Sequence, residues 1–244
     1  MIAIILAGGF ARRLLPLTLD TPKCLLPVGG KPVIDHVLEC VSSSSEVMSK
    51  FVVLTNSRFE ARFQTWASEK DLHNIEVVSD GSSNENEKPG AVGALALIAP
   101  KIDQDFFVIA GDCTYPDEID GLLEYFHGAG SAVIGLYHAK NANQVRRGSV
   151  VKMKGNVITD FVEKPENPAS DLVGAVVYAF PQGIKKKLVE YCRLQLSRDE
   201  PGRFIEWLCK KETVYGYVFN GVVSDIGTVE AYEHSNKGSE RTQA

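Results

Sequence analysis

The chain is 244 residues long with 44% hydrophobic content, enough to bury the core of one large α/β domain. Its formal charge of −5, from 26 Lys and Arg against 31 Asp and Glu, includes no basic block and argues against a nucleic-acid partner. No apolar stretch approaches the roughly 18 residues of a membrane span, and the N-terminus lacks the charged and long apolar regions of a secretion signal, so no membrane partner and a cytoplasmic location are expected.

In chain order, residues 2–6 form a short apolar run that reads as a buried strand. Ala7-Gly8-Gly9-Phe10-Ala11-Arg12-Arg13-Leu14 then breaks it with a glycine pair and a basic pair. Glycine lets main chain approach where a Cβ would collide, so backbone N–H groups followed by cations make a site for an anion, here a polyphosphate. The commoner phosphate devices are absent: there is no G-x-x-x-x-G-K-[ST], and G-x-G-x-x-G lacks its third glycine. A helix is predicted over 32–45, a strand over 51–55, a helix over 58–69 and a strand over 75–78. A polar loop over 80–89 leads into a predicted helix over 90–99. The apolar strand 106–110 runs into Gly111-Asp112-Cys113, which puts Asp112 at a strand's carboxyl end, where open α/β sheets bind ligands. On its own it reads equally as a turn aspartate.

Further along, a helix over 117–128 precedes a strand over 132–137 and more closely spaced strands over 150–153, 157–162 and 172–180. Glu163-Lys164-Pro165 ends the second of these, and by itself that lysine reads as a solvated charge. Helices over 182–194 and 202–211, a strand over 214–219 and a helix over 228–235 complete the pattern, with a frayed tail over 237–244. Asp225, in Val223-Ser224-Asp225-Ile226-Gly227-Thr228, reads by itself as part of a turn capped by Thr228. Strands spaced by helices as far as 137 imply βαβ crossovers in a doubly wound α/β fold, with a mostly parallel mixed sheet and a small antiparallel element in the second half. The cysteines, at 24, 40, 113, 192 and 209, have no metal-ligand spacing and are expected to be free thiols without zinc. The five histidines form no cluster and read as structural or surface residues.

The string L-A-G-G-x-x-x-R-L-x-P-L-T over 6–18, with Pro22-Lys23 placing a lysine ten residues after Arg13 and Leu26-Pro27-Val28 beyond it, resembles the signature of the sugar nucleotidylyltransferases, the NDP-sugar pyrophosphorylases. Gly111-Asp112, Val162-Glu163-Lys164-Pro165 and Asp225 extend the resemblance over residues 2 to 236, and it is greatest to glucose-1-phosphate thymidylyl- and uridylyltransferases. It implies a single Rossmann-like nucleotidyltransferase domain over 1–244, with 1–115 mainly binding nucleotide and 116–236 mainly binding sugar phosphate. The implied reaction is attack of a sugar 1-phosphate on the α-phosphorus of an NTP with loss of pyrophosphate, and the implied cofactor is Mg²⁺.

The resemblance also assigns residues. Leu6, Ala7, Gly8 and Gly9 would hold the triphosphate, Arg13 would neutralise the departing pyrophosphate, and Lys23 would act on the α-phosphate. Asp112 and Asp225 would hold the metal, with Asp112 also on the nucleotide side. Gly90 would approach the nucleobase through its backbone, with Asn84, Glu85 or Asn86 supplying an edge hydrogen bond. Lys164 would bind the acceptor's phosphate, and Gly148, Glu163 and Gly174 the sugar. Relatives are often dimers or tetramers, so a homo-oligomer is expected. Cys113, Arg147 and Val223 depart from the residues usual at their positions, which leaves the sugar and base open. A cytidylyltransferase acting on phosphocholine or inositol phosphate is an alternative, as is a non-catalytic regulator that binds nucleotide or NDP-sugar. The joint presence of Arg13, Lys23, Asp112, Lys164 and Asp225 argues against the regulator.

Overall fold

A computed structural model describes residues 1–116, 119–221, 223–226 and 232–233. Its elements in the first half are β1 (Ile2–Leu6), β2 (Pro27–Val28), β3 (Lys31–Pro32), α1 (Val33–Ser42), β4 (Lys50–Thr55), α2 (Glu60–Ser68), β5 (Ile75–Ser79), α3 (Ala91–Ile98), β6 (Phe106–Ala110) and β7 (Cys113–Thr114). There follow α4 (Ile119–Ala129), β8 (Ala132–His138), α5 (Ala142–Arg147), β9 (Ser149–Lys154), β10 (Val157–Glu163), β11 (Leu172–Phe180), α6 (Ile184–Cys192), α7 (Pro201–Leu208), β12 (Val214–Val218) and β13 (Ser224–Asp225).

One nine-stranded sheet has the order β5-β4-β1-β6-β11-β8-β12-β10-β9. Its first four strands are parallel neighbours, β12 is parallel to β8, and β11 and β10 run against every strand they pair with. The mixed, mostly parallel sheet matches the expectation. The antiparallel β9–β10 hairpin is continuous with it rather than set apart, and two short antiparallel ladders, β2–β3 and β7–β13, stand beside it.

The uniformly apolar β1 requires cover on both faces, and it has that cover. Ala3 and Ile5 face one side, packed with Ile34, Val37 and Val41 of α1, Phe63 of α2, and Leu122 and Phe126 of α4. Ile2 and Ile4 face the other, with Val92 and Leu95 of α3, Leu188 of α6, and Phe204 and Ile205 of α7. Helix α1 ends before the predicted 45 because Ser43 and Ser44 turn their hydroxyls onto the carbonyls of Cys40 and Val41, competing with the helical ladder. Helix α5 was not predicted: it buries no residue, so it carries no apolar period. Only its cap is legible, Asn141 Oδ1 accepting from the N–H groups of Asn143 and Gln144 at 3.1 and 3.0 Å. The predicted helix over 228–235, its Thr228 cap and the tail over 237–244 lie outside the described residues, apart from helical 232–233. Among the described residues no helix is long and apolar enough to cross a membrane.

Candidate active site

A cleft of about 730 Å³ opens beside the carboxyl ends of β1 and β6, and its wall includes Arg13, Asp112, Cys113, Gly148, Glu163, Lys164, Gly174 and Asp225. The register that sets Leu6 beside Leu54 and Ala110 makes the three strand ends coincide, and the segments after β1 and β6 bring Arg13 and Asp112 to the cleft.

The loop after β1 is held from below by its neighbours. Ala7 donates its N–H to the Leu54 carbonyl (2.8 Å), and Asn56 Nδ2 donates to the Gly8 carbonyl (2.9 Å). Thr55 and Asn56, both fully buried, were not singled out from the sequence. Nothing lies within 4 Å of where a Gly9 side chain would start, so its main chain faces open space. Ala11 adopts a left-handed φ of 46° and its carbonyl accepts from Thr18 Oγ1 at 2.9 Å. That turn starts the short 3-10 segment Arg12–Leu14, which buries Leu14 and leaves both arginines exposed. Arg13 reaches the cleft and has no ion-pair partner among the described residues.

Asp112 follows Gly111, where a side chain would sit 2.9 Å from Ile5 Cγ2 and 3.1 Å from the Leu6 carbonyl oxygen. Glycine there lets β6 turn sharply beside β1. The β7–β13 ladder pairs Cys113 with Asp225, and this brings the second carboxylate in from the far end of the chain. Lys23 Nζ donates to Asp112 Oδ2 (2.8 Å) and to Asp225 Oδ1 (2.5 Å). It was expected on a phosphate; here it bridges the two carboxylates. Burial disfavours the ammonium, but Asp112 and Asp225 outweigh it and hold its pKa above the usual lysine range.

Donor atoms of Asp112, Cys113 and Asp225 lie within 4.8 Å of one another. Two carboxylates on the wall of an open cleft fit a hard divalent cation that takes few protein oxygens and shares the rest with phosphate and water. Burial, with Asp112 and Asp225 nearby, pushes the Cys113 thiol well above its ordinary range. It therefore stands as a thiol that donates to Asp112 Oδ1 at 3.6 Å. Burial first, then Cys113 and Asp225, push the Tyr137 phenol up to about 12.

On the opposite wall, Glu163 ends β10 and is only 6% exposed. Ser149 Oγ donates to Glu163 Oε2, and Gly202 packs so closely that a side chain there would overlap the same oxygen. Lys164 has a left-handed φ of 49°, a strained position for a residue with a side chain. Its N–H donates to the Gly148 carbonyl (3.0 Å), and its ammonium pairs with Glu200 (2.9 Å), whose other oxygen accepts from Ser197 (2.9 Å). Both side chains of the Lys164–Glu200 pair are partly exposed, 46% and 31%, so an incoming anion can displace it at little cost. At Gly148 a side chain would strike Val173, and at Gly174 it would crowd the Phe161 ring.

Burial raises the Glu163 carboxyl above the ordinary glutamate range, offset in part by Ser149 and Lys164. A raised native pKa means that the favourable contribution is complete below the unfolded-state pKa and is lost as pH rises through the native one. Glu163→Gln is therefore expected to raise the melting temperature at pH 7, with the gain vanishing by about pH 4, near the ordinary glutamate value. Paired melting curves at the two pH values test this. An equal gain at both would mean that the charge is not its source.

Asn84 and Gly90 are not brought into the cleft wall. Asn84 Oδ1 accepts from the Asn86 N–H at 3.1 Å within its own loop. Gly90 has φ 77°, and a side chain there would lie 2.3 Å from the Arg198 carbonyl oxygen, so its bareness serves packing against 198–199. The cleft wall includes Tyr137, Asn141, Gln144, Ser149 and Glu200, which were not predicted. They are scattered along the sequence in no motif, and only the capping pattern at Asn141 offered a signal.

A model of the family described as "Nucleotidyl transferase" matches residues 2–242. The chain is 30% identical over 228 residues to the "Bifunctional protein GlmU" of Methanocaldococcus jannaschii, covering 93% of this chain and 51% of that protein. It is 27% identical over 232 residues to the mannose-1-phosphate guanylyltransferase of Mycobacterium tuberculosis, covering 94% of this chain and 62% of that one. The chain thus spans about half to three-fifths of the length of these relatives. A crystal structure of UDP-glucose pyrophosphorylase complexed with UDP-glucose superposes with a TM-score of 0.82 at 19% identity, covering 99% of this chain and all of that one, which shows the fold.

Proposed function

Because the chain belongs to the nucleotidyl transferase family, we propose that it transfers a nucleotidyl group from an NTP to a sugar 1-phosphate, releasing pyrophosphate, with Mg²⁺ as cofactor. The observation that carries this reading is the make-up of the cleft beside β1 and β6. It joins an arginine from near the start of the chain that has no ion-pair partner among the described residues, a carboxylate pair from the end of β6 and from β13, and a Glu-Lys pair from the end of β10. Two anionic substrates need separate cations and a shared metal, and this grouping of side chains supports that division.

Gly8 and Gly9 would approach the triphosphate through main chain, and Arg13 would neutralise the β and γ phosphates as pyrophosphate leaves. Lys164, released from Glu200, would hold the acceptor's phosphate, while Glu163 would accept from sugar hydroxyls. Asp112 and Asp225, kept together by Lys23, would hold Mg²⁺, which when bound polarises the α-phosphate and screens repulsion between the substrates. The attacking phosphate is already anionic at neutral pH, so positioning and charge neutralisation suffice and no general base is required.

The test is pyrophosphate release by the purified protein with Mg²⁺, crossing each NTP with glucose, mannose, N-acetylglucosamine and galactose 1-phosphates, and including CTP with phosphocholine and inositol phosphate. Release with one sugar 1-phosphate pair is expected and would name both substrates. Release with phosphocholine or inositol phosphate alone would replace the acceptor class, and nucleotide binding without release across the panel would sink the reading.

A further inference from the structure

We propose that Cys113 serves as a third protein ligand beside Asp112 and Asp225, so that the site binds Mn²⁺, Co²⁺ or Zn²⁺ more tightly than Mg²⁺. The inference deepens the reading above and rests on its premise that these two carboxylates hold a divalent cation.

Cys113 lies directly opposite Asp225 on the β7–β13 ladder, and partners in register on an antiparallel pair put their side chains on one face. Asp112 is the preceding residue, and its carboxylate is already in contact with the thiol at 3.6 Å. All three donor atoms lie within 4.8 Å of one another. Metal–thiolate bonds of about 2.3 Å and metal–carboxylate bonds of about 2.0–2.2 Å allow one ion to meet all three after small side-chain rotations.

Sulfur decides which ion gains. Mg²⁺ demands oxygen in near-ideal octahedral geometry, so Cys113 adds nothing to its binding. The later first-row ions accept thiolate together with carboxylate, and their affinities rise along the series from Mn²⁺. On coordination the metal–sulfur bond forms as the S–H bond breaks, the proton passing to solvent with no change of oxidation state. Mg²⁺ would then fill the site by its abundance and the softer ions by affinity.

The test is titration of the metal-stripped protein with Co²⁺ in thiol-free buffer. A sulfur-to-cobalt charge-transfer absorption saturating at one equivalent is expected. It should be absent from Cys113→Ser and Cys113→Asn, both of which keep the other four cysteines. Co²⁺ affinity should fall by at least about tenfold in both variants, while Mg²⁺ affinity by calorimetry changes less than about threefold. No band in the wild-type protein, or a band that survives in either folded variant, overturns the inference. Mg²⁺-dependent pyrophosphate release is scored separately: release without a band sinks the cation preference alone. A band without release supports the cation site and overturns the transfer reading.

Discussion

Asp112→Asn and Asp225→Asn are each expected to lower the rate of pyrophosphate release by at least about 10²-fold, the scale of losing one preorganised electrostatic group from a transition state. The amide keeps the shape of the side chain and can still accept from Lys23, so what is removed is the charge that would hold the cation. Some stability should be lost as well, because the Lys23 side chain is only 10% exposed and its buried ammonium is left with one full carboxylate instead of two. A rate assay at saturating substrates, read beside a melting curve, separates these effects. A folded variant that retains more than about a third of its turnover would remove that carboxylate from the mechanism, since no charge placed as proposed is worth so little.

Gly90→Ala is expected to cost on the order of 3–4 kcal/mol of stability, from a backbone conformation nearly exclusive to glycine and the loss of a hydrogen bond. Gly90 has φ 77° and ψ 164°. The added carbon would also sit 2.3 Å from the carbonyl oxygen, 2.5 Å from the carbonyl carbon of Arg198, and 2.8 Å from the nitrogen of Asp199. These are main-chain atoms with no rotamer to change, so the strand of backbone itself must move. The Val92 N–H that donates to the Arg198 carbonyl at 2.9 Å would lose its partner. Displacing 198–199 also shifts Glu200, the partner Lys164 must leave to meet the acceptor, so a changed KM for the acceptor should accompany the fall in denaturation midpoint. A loss below about 1 kcal/mol would mean that segment 198–199 is free to retreat.

The two expectations differ in how visible their residues were beforehand. Asp112 stood at the end of an unmistakable apolar strand, and strand ends in open α/β sheets are where ligands gather. Gly90 was singled out as a glycine near a ligand, yet the structure gives it a packing partner more than a hundred residues away in sequence. Local sequence reports that a glycine is present. It does not report what approaches it.

Local chemistry therefore determined much of this protein. The apolar run of β1 required helices on both faces, and the glycine and arginine spacing after it is the local basis for the proposed anion site. The carboxyl end of β6 placed Asp112, because each of these features acts within a few residues of backbone. Tertiary structure alone decided the rest. It set Asp225 against Cys113 across a two-residue ladder, gave Lys23 to the carboxylates, tied Lys164 to Glu200, and turned Gly90 toward Arg198. These contacts join segments far apart in the chain, and side-chain charge pairs and close backbone approaches carry no periodicity along the sequence from which their partners could be read.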